Sequence, residues 1–310
     1  MRIAVIGTGA VGGYFGAKLA AAGHELVFLA RGKHLEALQA AGLRVLSPNG
    51  DLHIQKADFP ASAAQAGLVD VILFCVKSYD TQSAAESLGP LLSAHTTILS
   101  LQNGIDNQEK IAAVWHDHPV FPGVVYIGAE ISSPGVIRHS NGGKIVFGGA
   151  DGQRSQSVMH IERLLSGAGI PCQLSSNIYE VQWSKLLWNA SFCAISCLAC
   201  ANVKQIVDSA PLTSLAIDCM REVQSAAELR GVILPGALFD QTIAFSRGLG
   251  AFKPSMLQDL EPGKPLEYEA FNGIVAKLLQ ASGKPAPINQ AFQSLLQQLE
   301  RHSREGKQTR

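Results

Sequence analysis

The chain has 310 residues, of which 25 are basic and 25 acidic, so its formal net charge is zero. This balance gives no electrostatic reason to expect a nucleic acid or an anionic membrane as a partner. Hydrophobic residues make up 47% of the sequence and charged residues 16%, which argues against global disorder and allows a large core, in two domains or one large one. An apolar strand pattern begins at Arg2 and leaves no room for a signal peptide, so we expect a cytoplasmic protein.

The first thirty residues have the pattern of a dinucleotide-binding βαβ unit. An apolar run over Arg2–Ile6 leads into Gly7-Thr8-Gly9-Ala10-Val11-Gly12, a helix pattern of small residues, and a second apolar run over Glu25–Ala30. This is the GxGxxG sequence between a strand and a helix. Gly7 would make the tight turn, Gly9 would let the backbone approach a pyrophosphate, and Gly12 would let the helix pack closely. The N–H groups at the start of the helix would bind the phosphates.

Arg31 directly follows the second apolar run and indicates which cofactor is preferred. Folds specific for NAD usually place Asp or Glu here, to accept hydrogen bonds from the ribose 2′-hydroxyl, whereas a cation suits a 2′-phosphate. No carboxylate occurs until Glu36. We therefore predict NADP(H) rather than NAD(H); a solvated arginine in a turn is the simpler alternative.

Two further buried-strand patterns end in polar residues. Asp70–Val76 is followed by Lys77, and Thr96–Leu101 is followed closely by Asn103. In open parallel sheets, ligands bind beyond the carboxyl ends of the strands. Together with Gly7 and Arg31, these residues predict one ligand site, although each alone could be a surface lysine or an ordinary turn.

The domain organisation follows from a change of pattern along the chain. Short β-rich pieces between Val120 and Gly148 predict antiparallel strands that extend the sheet. After residue 176 we find no convincing strand pattern, so we predict a dinucleotide-binding domain over 1–176 and an all-helical domain over 177–310. Predicted helices of the second domain cover Tyr179–Ala201, Leu212–Arg230, Leu238–Phe245, Ser255–Leu260, Glu267–Ser282 and Pro287–Leu299.

Polar residues on apolar helix faces of the second domain are candidates for chemistry. Lys185 and Asn189 are four residues apart, so they share a face, and the neighbouring aromatic and aliphatic residues would desolvate the lysine and lower its pKa. A lysine that extends its amine to solvent is the alternative. Glu267 lies on the face of Phe271 and needs a partner, for which Lys185 is the candidate; the alternative is a first-turn glutamate stabilised by the helix dipole.

Two other patterns have simpler interpretations. Ser255 and Gln258 fit a capping box, although a capping serine can also face a ligand. Cys193, Cys197 and Cys200 have a spacing that can hold an iron–sulfur cluster, but they lie within a long apolar segment and are better interpreted as core residues. The histidines are scattered, so we predict no metal site.

These residues occur in an order that resembles the ketopantoate reductase (2-dehydropantoate 2-reductase) family over residues 1 to about 300. The segment Ser255-Met-Leu-Gln-Asp259, followed by Glu267, is the most family-specific part. The resemblance implies an α/β fold. It consists of an N-terminal Rossmann-type doubly wound sheet with an antiparallel extension and a C-terminal all-α domain like that of 6-phosphogluconate dehydrogenase.

The resemblance also implies an activity. NADPH would deliver hydride to the keto carbon of 2-dehydropantoate, which gives pantoate for pantothenate and coenzyme A synthesis, in one crevice between the two domains. Lys185 matches the general acid, and Glu267 matches the carboxylate that orients the substrate hydroxyl and the lysine. The substrate-binding positions are Asn103, Asn189 and Ser255. The cofactor-binding positions are Gly7, Thr8, Gly9, Ala10, Val11, Gly12, Arg31 as the reader of the 2′-phosphate, Lys77, Asn103 and Glu267.

Two departures from the family pattern leave the keto acid open. The family often carries an asparagine where this chain has Cys193, and its Thr-Glu-Ile-Asp segment is here Leu266-Glu267-Tyr268-Glu269. A reductase of another 2-keto acid or of an imine is therefore one alternative, and a catalytically silent NADP(H)-binding sensor is another. The expected partner is a small 2-keto acid, without nucleic acid or membrane, and a homodimer stays open.

Overall fold

The computed structural model describes residues 1–150 and 152–308, with side chains through residue 305. Residues 151, 309 and 310, which the predicted domains include, lie outside the described residues. The chain divides into two units, Met1–Ile178 and Tyr179–Arg310. Within the described part of the chain, none of the helices combines the length and the apolar character that a membrane crossing requires.

The first unit is built on a mixed β-sheet with flanking helices. Its strands are β1 (Arg2–Ile6), β2 (Glu25–Leu29), β3 (Leu43–Leu46), β4 (Leu52–Ile54), β5 (Val69–Phe74), β6 (Leu92–Ser100), β7 (Val120–Ser133), β8 (Val136–Phe147) and β9 (Cys172–Leu174). Its α-helices are α1 (Ala10–Ala21), α2 (Gly32–Ala41), α3 (Thr81–Glu86), α4 (Asn107–Val114) and α5 (Gln156–Gly167). Three single turns of 3₁₀-helix cover Ala63–Gln65, Ser78–Asp80 and Gly89–Leu91.

The strand order within the described residues is β2-β1-β5-β6-β7-β8-β3-β4, with β9 also paired to β8. The pairs β2–β1, β1–β5, β5–β6 and β6–β7 are parallel, and β7 pairs with β8 in antiparallel fashion. This confirms the predicted Rossmann-type sheet with its antiparallel extension. Strands β3 and β4 were not predicted, because they are short and their exposed alternate residues, such as Arg44, weaken the apolar pattern. They form the far edge of the sheet beyond β8.

Helix α1 lies within one of the two apolar cores that the described residues of this unit form. It contacts β1, β2, β3, β4, β7 and β8, so the sheet curves around it. Close approach requires its small residues: a Cβ on Gly13 would lie 2.9 Å from Cγ1 of Ile137, and one on Gly16 would lie 2.9 Å from Cγ2 of Val5. Glycine lowers the intrinsic stability of a helix by about 1 kcal/mol per residue. Tertiary packing of both sheet halves against α1 compensates for this cost.

The second unit is helical throughout its described secondary structure, as predicted. Its α-helices are α6 (Ile178–Trp188), α7 (Ala194–Ala199), α8 (Val203–Val207), α9 (Ala210–Leu229), α10 (Ala237–Gly248), α11 (Ser255–Leu260), α12 (Ile274–Ala281) and α13 (Pro287–Gln308). Two turns of π-helix interrupt them: the first π segment is Asn189–Cys193, between α6 and α7, and the second is Glu269–Gly273, before α12.

The π segments change two of the predicted helices. The first π segment interrupts the helix predicted over Tyr179–Ala201. The helix predicted to begin at Glu267 begins after it, so Glu267 lies in the preceding loop. A π turn widens the helix by about one residue per turn, which an apolar pattern does not reveal. Such turns are frequent at functional sites in proteins.

The capping box predicted at Ser255 is wrong. Pro254 occupies the N-cap position of α11 and makes no side-chain capping hydrogen bond. Gln258 donates through Nε2 to the carbonyl of Lys253 at 2.8 Å instead of returning to the serine. The Ser255 hydroxyl is therefore not committed to the helix start.

Candidate active site

Four of the predicted ligand residues meet at one edge of the sheet in the first unit. Strands β2, β1, β5 and β6 are adjacent and parallel, so their carboxyl ends lie along the same edge. Gly7 follows β1 directly, and Arg31, Lys77 and Asn103 lie in the short segments after β2, β5 and β6. This edge is where open parallel sheets bind ligands.

The glycine loop has a backbone conformation that its sequence requires. Gly7 has φ of +90°, and a Cβ there would lie 2.8 Å from the backbone nitrogen of Val76. Thr8 is 2% exposed, and both its N–H and its hydroxyl donate to the carbonyl of Leu29 at 2.9 Å. The threonine side chain therefore anchors the loop to the end of β2. Gly12 packs so closely that a Cβ would collide with the carbonyl of Gly7.

The N-terminus of α1 has the features of a phosphate cradle. Its N-cap is Gly9, which has no side chain to cap it, and its first turn carries no acidic residue. A Cβ on Gly9 would meet no atom of the described residues within 4 Å, so this face of the loop is open. The N–H groups that open the helix, those of Ala10, Val11 and Gly12, carry the positive end of the helix dipole. The residues present therefore fit the pyrophosphate of a dinucleotide.

Arg31 lies at the same edge of the sheet, shortly after β2, and its side chain is open to solvent. Its side chain is 77% exposed, and Nη1 lies 3.6 Å from Oδ2 of Asp80. An exposed ion pair of this kind contributes little to stability. A phosphate dianion can therefore compete with Asp80 for the guanidinium, whose planar fork matches phosphate oxygens.

A buried hydrogen-bond network, which we did not predict from the sequence, holds the segments that carry Lys77 and Asn103. Gln102 donates through Nε2 to the carbonyl of Val76 at 3.0 Å and to the Thr81 hydroxyl at 2.7 Å. Asn107 accepts from that hydroxyl at 2.9 Å and donates through Nδ2 to the carbonyl of Asn103 at 2.7 Å. Both ligand-bearing segments are thereby tied together. A glutamine at the end of a buried strand is the signal that could have predicted this.

Lys185, near the end of α6 in the second unit, has an unusual environment. Burial lowers the pKa of Lys185 from 10.5 to about 8, as its apolar neighbours predicted. Electrostatic interactions with Cys193 and with Glu267 act in the opposite direction and raise this pKa. An amine with a pKa near neutrality can hold a proton at working pH and release it readily, which is the requirement for a general acid.

The other predicted residues of this unit lie on segments that contact one another. Asn189 is 5% exposed and opens the first π segment. Helix α11, which begins at Ser255, packs against this segment. Glu267 is 4% exposed and shortly precedes the second π segment, which contacts the first. The fold therefore gathers the segments of Lys185, Asn189, Ser255 and Glu267 around the first π segment.

Comparisons with known proteins agree along the whole chain. The family model described as ketopantoate reductase PanE/ApbA matches residues 3–152, and the model of its C-terminal part matches residues 177–300. A 2-dehydropantoate 2-reductase from Mesorhizobium japonicum is 33% identical, over 96% of this chain and 98% of its own length. The crystal structure of a PanE/ApbA family ketopantoate reductase from Ralstonia eutropha is 31% identical, with a TM-score of 0.91 over 98% of this chain and 100% of the other.

A third comparison concerns the fold alone. A ternary structure of D-mandelate dehydrogenase with NADH and anilino(oxo)acetate has a TM-score of 0.89 at 19% identity, over 98% of this chain and 100% of the other. The sheet of the first unit and the helical second unit share this fold, and the family models and the 33% identical relative place the chain among the oxidoreductases. Within that class, the chain belongs to the ketopantoate reductase family.

Proposed function

We propose that this protein is an NADPH-dependent 2-dehydropantoate 2-reductase that converts ketopantoate to pantoate in pantothenate and coenzyme A synthesis. Family membership supports the substrate class. The observation that carries the proposal is the partly desolvated Lys185, whose pKa is about 8 and on which the Glu267 carboxylate acts. A cofactor-binding fold alone would not imply a reaction.

The residues of the chain have separate tasks in this reaction. When bound, the nicotinamide of NADPH supplies the hydride that adds to the keto carbon. Negative charge develops on the keto oxygen, and Lys185 stabilises that charge and donates a proton to the oxygen. Glu267 favours the charged form of Lys185 and so keeps the donor protonated before each turnover. Asn189 and Ser255 offer polar groups that would bind the keto acid.

The proposal is tested by steady-state kinetics with NADPH over a panel of 2-keto acids that includes ketopantoate. The proposal expects ketopantoate to have the highest kcat/KM. A higher kcat/KM for a 2-keto acid that lacks the hydroxyl group of ketopantoate would favour the alternative, a reductase of another 2-keto acid. One observation favours that alternative: Cys193 is fully buried and near enough to raise the pKa of Lys185, so its sulfur lies near the proton donor.

We expect Gly9→Ala to weaken NADPH binding without unfolding the protein. The added methyl group would fill the cradle, and misfit of this kind costs about 1–3 kcal/mol, or roughly 5- to 150-fold in Kd. The same change at Gly16 is the matched control, because its Cβ would press on the core near Val5. NADPH titration and thermal unfolding should separate the two: Gly9→Ala weakens binding, whereas Gly16→Ala lowers Tm. An unchanged Kd in Gly9→Ala would contradict the assigned cradle.

Arg31→Ala should raise KM for NADPH and leave KM for NADH nearly unchanged. A hydrogen bond to a charged group contributes about 1.5–3 kcal/mol, so we expect a rise of roughly 10-fold or more. Arg44→Ala, at an exposed position of β3, is the control for loss of a positive charge. If Arg31→Ala changes both KM values equally, the arginine does not read the 2′-phosphate.

A further inference from the structure

A buried hydrogen-bond chain joins the two π segments of the second unit, and its members are not among the residues assigned to the reaction. Asn272, in the second π segment, is 0% exposed. Its Nδ2 donates to the carbonyl of Ala190, in the first π segment, at 2.9 Å, and to Oδ1 of Asn289 at 2.9 Å. Each of the two side-chain N–H groups of Asn272 therefore donates one hydrogen bond, one to Ala190 and one to Asn289.

The orientation of this amide is determined by Glu222 on α9. The Glu222 carboxylate accepts from the backbone N–H groups of Ile288 and Asn289 and from Nδ2 of Asn289, each at 2.8 Å. A carboxylate only accepts, so the nitrogen of the Asn289 side chain must face Glu222 and its oxygen must face Asn272. Asn272 must then present its own nitrogen. The chain of bonds runs from α9, through the start of α13, to the carbonyl of Ala190.

Stability alone does not account for this arrangement. Among the described residues, Oδ1 of Asn272 has no hydrogen-bond partner, and an unpaired buried acceptor is unfavourable. The hydrogen bond from Asn272 to Ala190 connects the chain segments that carry the residues of the proposed reaction. Ala190 follows Asn189 directly and lies five residues after Lys185, and Asn272 lies five residues after Glu267. The contact thus sets the register between the segment that carries the amine and the segment that carries the carboxylate.

We propose that Asn272 is a positioning residue, which holds Glu267 in register with Lys185, and that Glu222, acting through Asn289, orients Asn272. This inference rests on the proposed function for its chemistry. Among the described residues, Glu267 and Cys193 raise the pKa of Lys185 against the effect of burial. Because the interaction between charges weakens with distance, a looser register should lower this pKa and misplace the proton donor.

The test compares two substitutions in the chain of bonds with one outside it. Asn272→Ala removes both donated hydrogen bonds, and Glu222→Gln replaces an acceptor oxygen by a donor while leaving the site residues untouched. Asn202→Ala is the control: it removes the capping box of α8, in which Asn202 and Gln205 bond reciprocally at 3.0 and 2.9 Å. The measurements on the full chain are kcat and KM with NADPH and ketopantoate, their pH dependence, and thermal unfolding.

We expect Asn272→Ala to lower kcat by about 10–100-fold, the scale that a misplaced group costs, with little change in KM for NADPH. The alkaline limb of the pH profile should move to lower pH. Glu222→Gln should also lower kcat and move the alkaline limb to lower pH, each by a smaller amount. If Asn272→Ala does not fold, the measurements on Glu222→Gln decide the test. Asn202→Ala should lower Tm and leave kcat and the pH profile unchanged. Folded variants of Asn272 and Glu222 with wild-type kcat and pH profile would overturn the inference.

A measurement without turnover separates this inference from the proposed function. The pKa of Lys185 can be followed by NMR of ¹⁵N-labelled lysine side chains, with the signal assigned from Lys185→Ala. A lower pKa in Asn272→Ala and Glu222→Gln would support the positioning role even if wild-type protein does not reduce ketopantoate. An unchanged pKa in both folded variants would overturn the positioning role even if wild-type protein does.

Discussion

Replacing Lys185 by alanine is expected to lower kcat/KM for ketopantoate by about 10²–10⁴-fold, which is the usual contribution of a positioned general acid. The amine is the group of this unit whose pKa burial brings to about 8, so its loss removes the proton donor for the keto oxygen. Because the cofactor cradle belongs to the first unit, Kd for NADPH should not change. Turnover is measured from NADPH consumption, and binding from fluorescence titration.

Lys277→Ala is the control for this experiment, since Lys277 is an exposed lysine of α12. It should retain wild-type kinetics. If Lys185→Ala turns over as fast as wild-type protein, the lysine has a structural role. Tight NADPH binding by a wild-type protein that reduces no keto acid would favour the sensor alternative.

Glu267→Gln is expected to lower kcat/KM and to move its alkaline limb to lower pH. The sign follows from the charges: the Glu267 carboxylate raises the pKa of Lys185, so a neutral amide at this position lets the pKa fall. The protonated fraction of Lys185 then decreases at any pH above the new pKa. We expect kcat/KM to fall most near and above pH 8 and to fall less at acidic pH.

The control is Glu228→Gln at an exposed glutamate of α9, which should change neither rate nor pH profile. A Glu267→Gln variant that is slower by the same factor at every pH would have lost a substrate contact only. An alkaline limb that moves to higher pH would contradict the assigned interaction between the carboxylate and the lysine.

The first unit was largely predictable because its signals are local. The GxGxxG loop, β1, β2, β5 and β6 each follow from an uninterrupted apolar run or a turn that requires glycine. Strands β3 and β4 could not be recognised, because they have only four and three residues and join the sheet through the pairing of β3 with β8, which is distant in sequence. The buried network of Gln102 likewise depends on segments distant in sequence.

The second unit was predictable in class but not in detail. Apolar periodicity located the helices and singled out Lys185 as a polar residue among apolar neighbours, and the structure gives this residue the lowered pKa that was expected. The π segments escaped prediction, because one added residue in a helix leaves no signature in periodicity. Asn272 stands in the apolar run Ala270-Phe-Asn-Gly-Ile-Val275, so a polar residue in a buried position was visible. Its partners Ala190 and Asn289 were not, since only the fold brings them together.

The measurement that tests the central claim most directly is the pH dependence of kcat/KM for ketopantoate, compared between wild-type protein and Lys185→Ala. The account predicts that wild-type activity falls as pH rises through about 8, where Lys185 loses its proton, and that this limb is absent from the residual activity of Lys185→Ala. Wild-type activity that stays level well above pH 8, or the same alkaline limb in both proteins, would show that another group donates the proton.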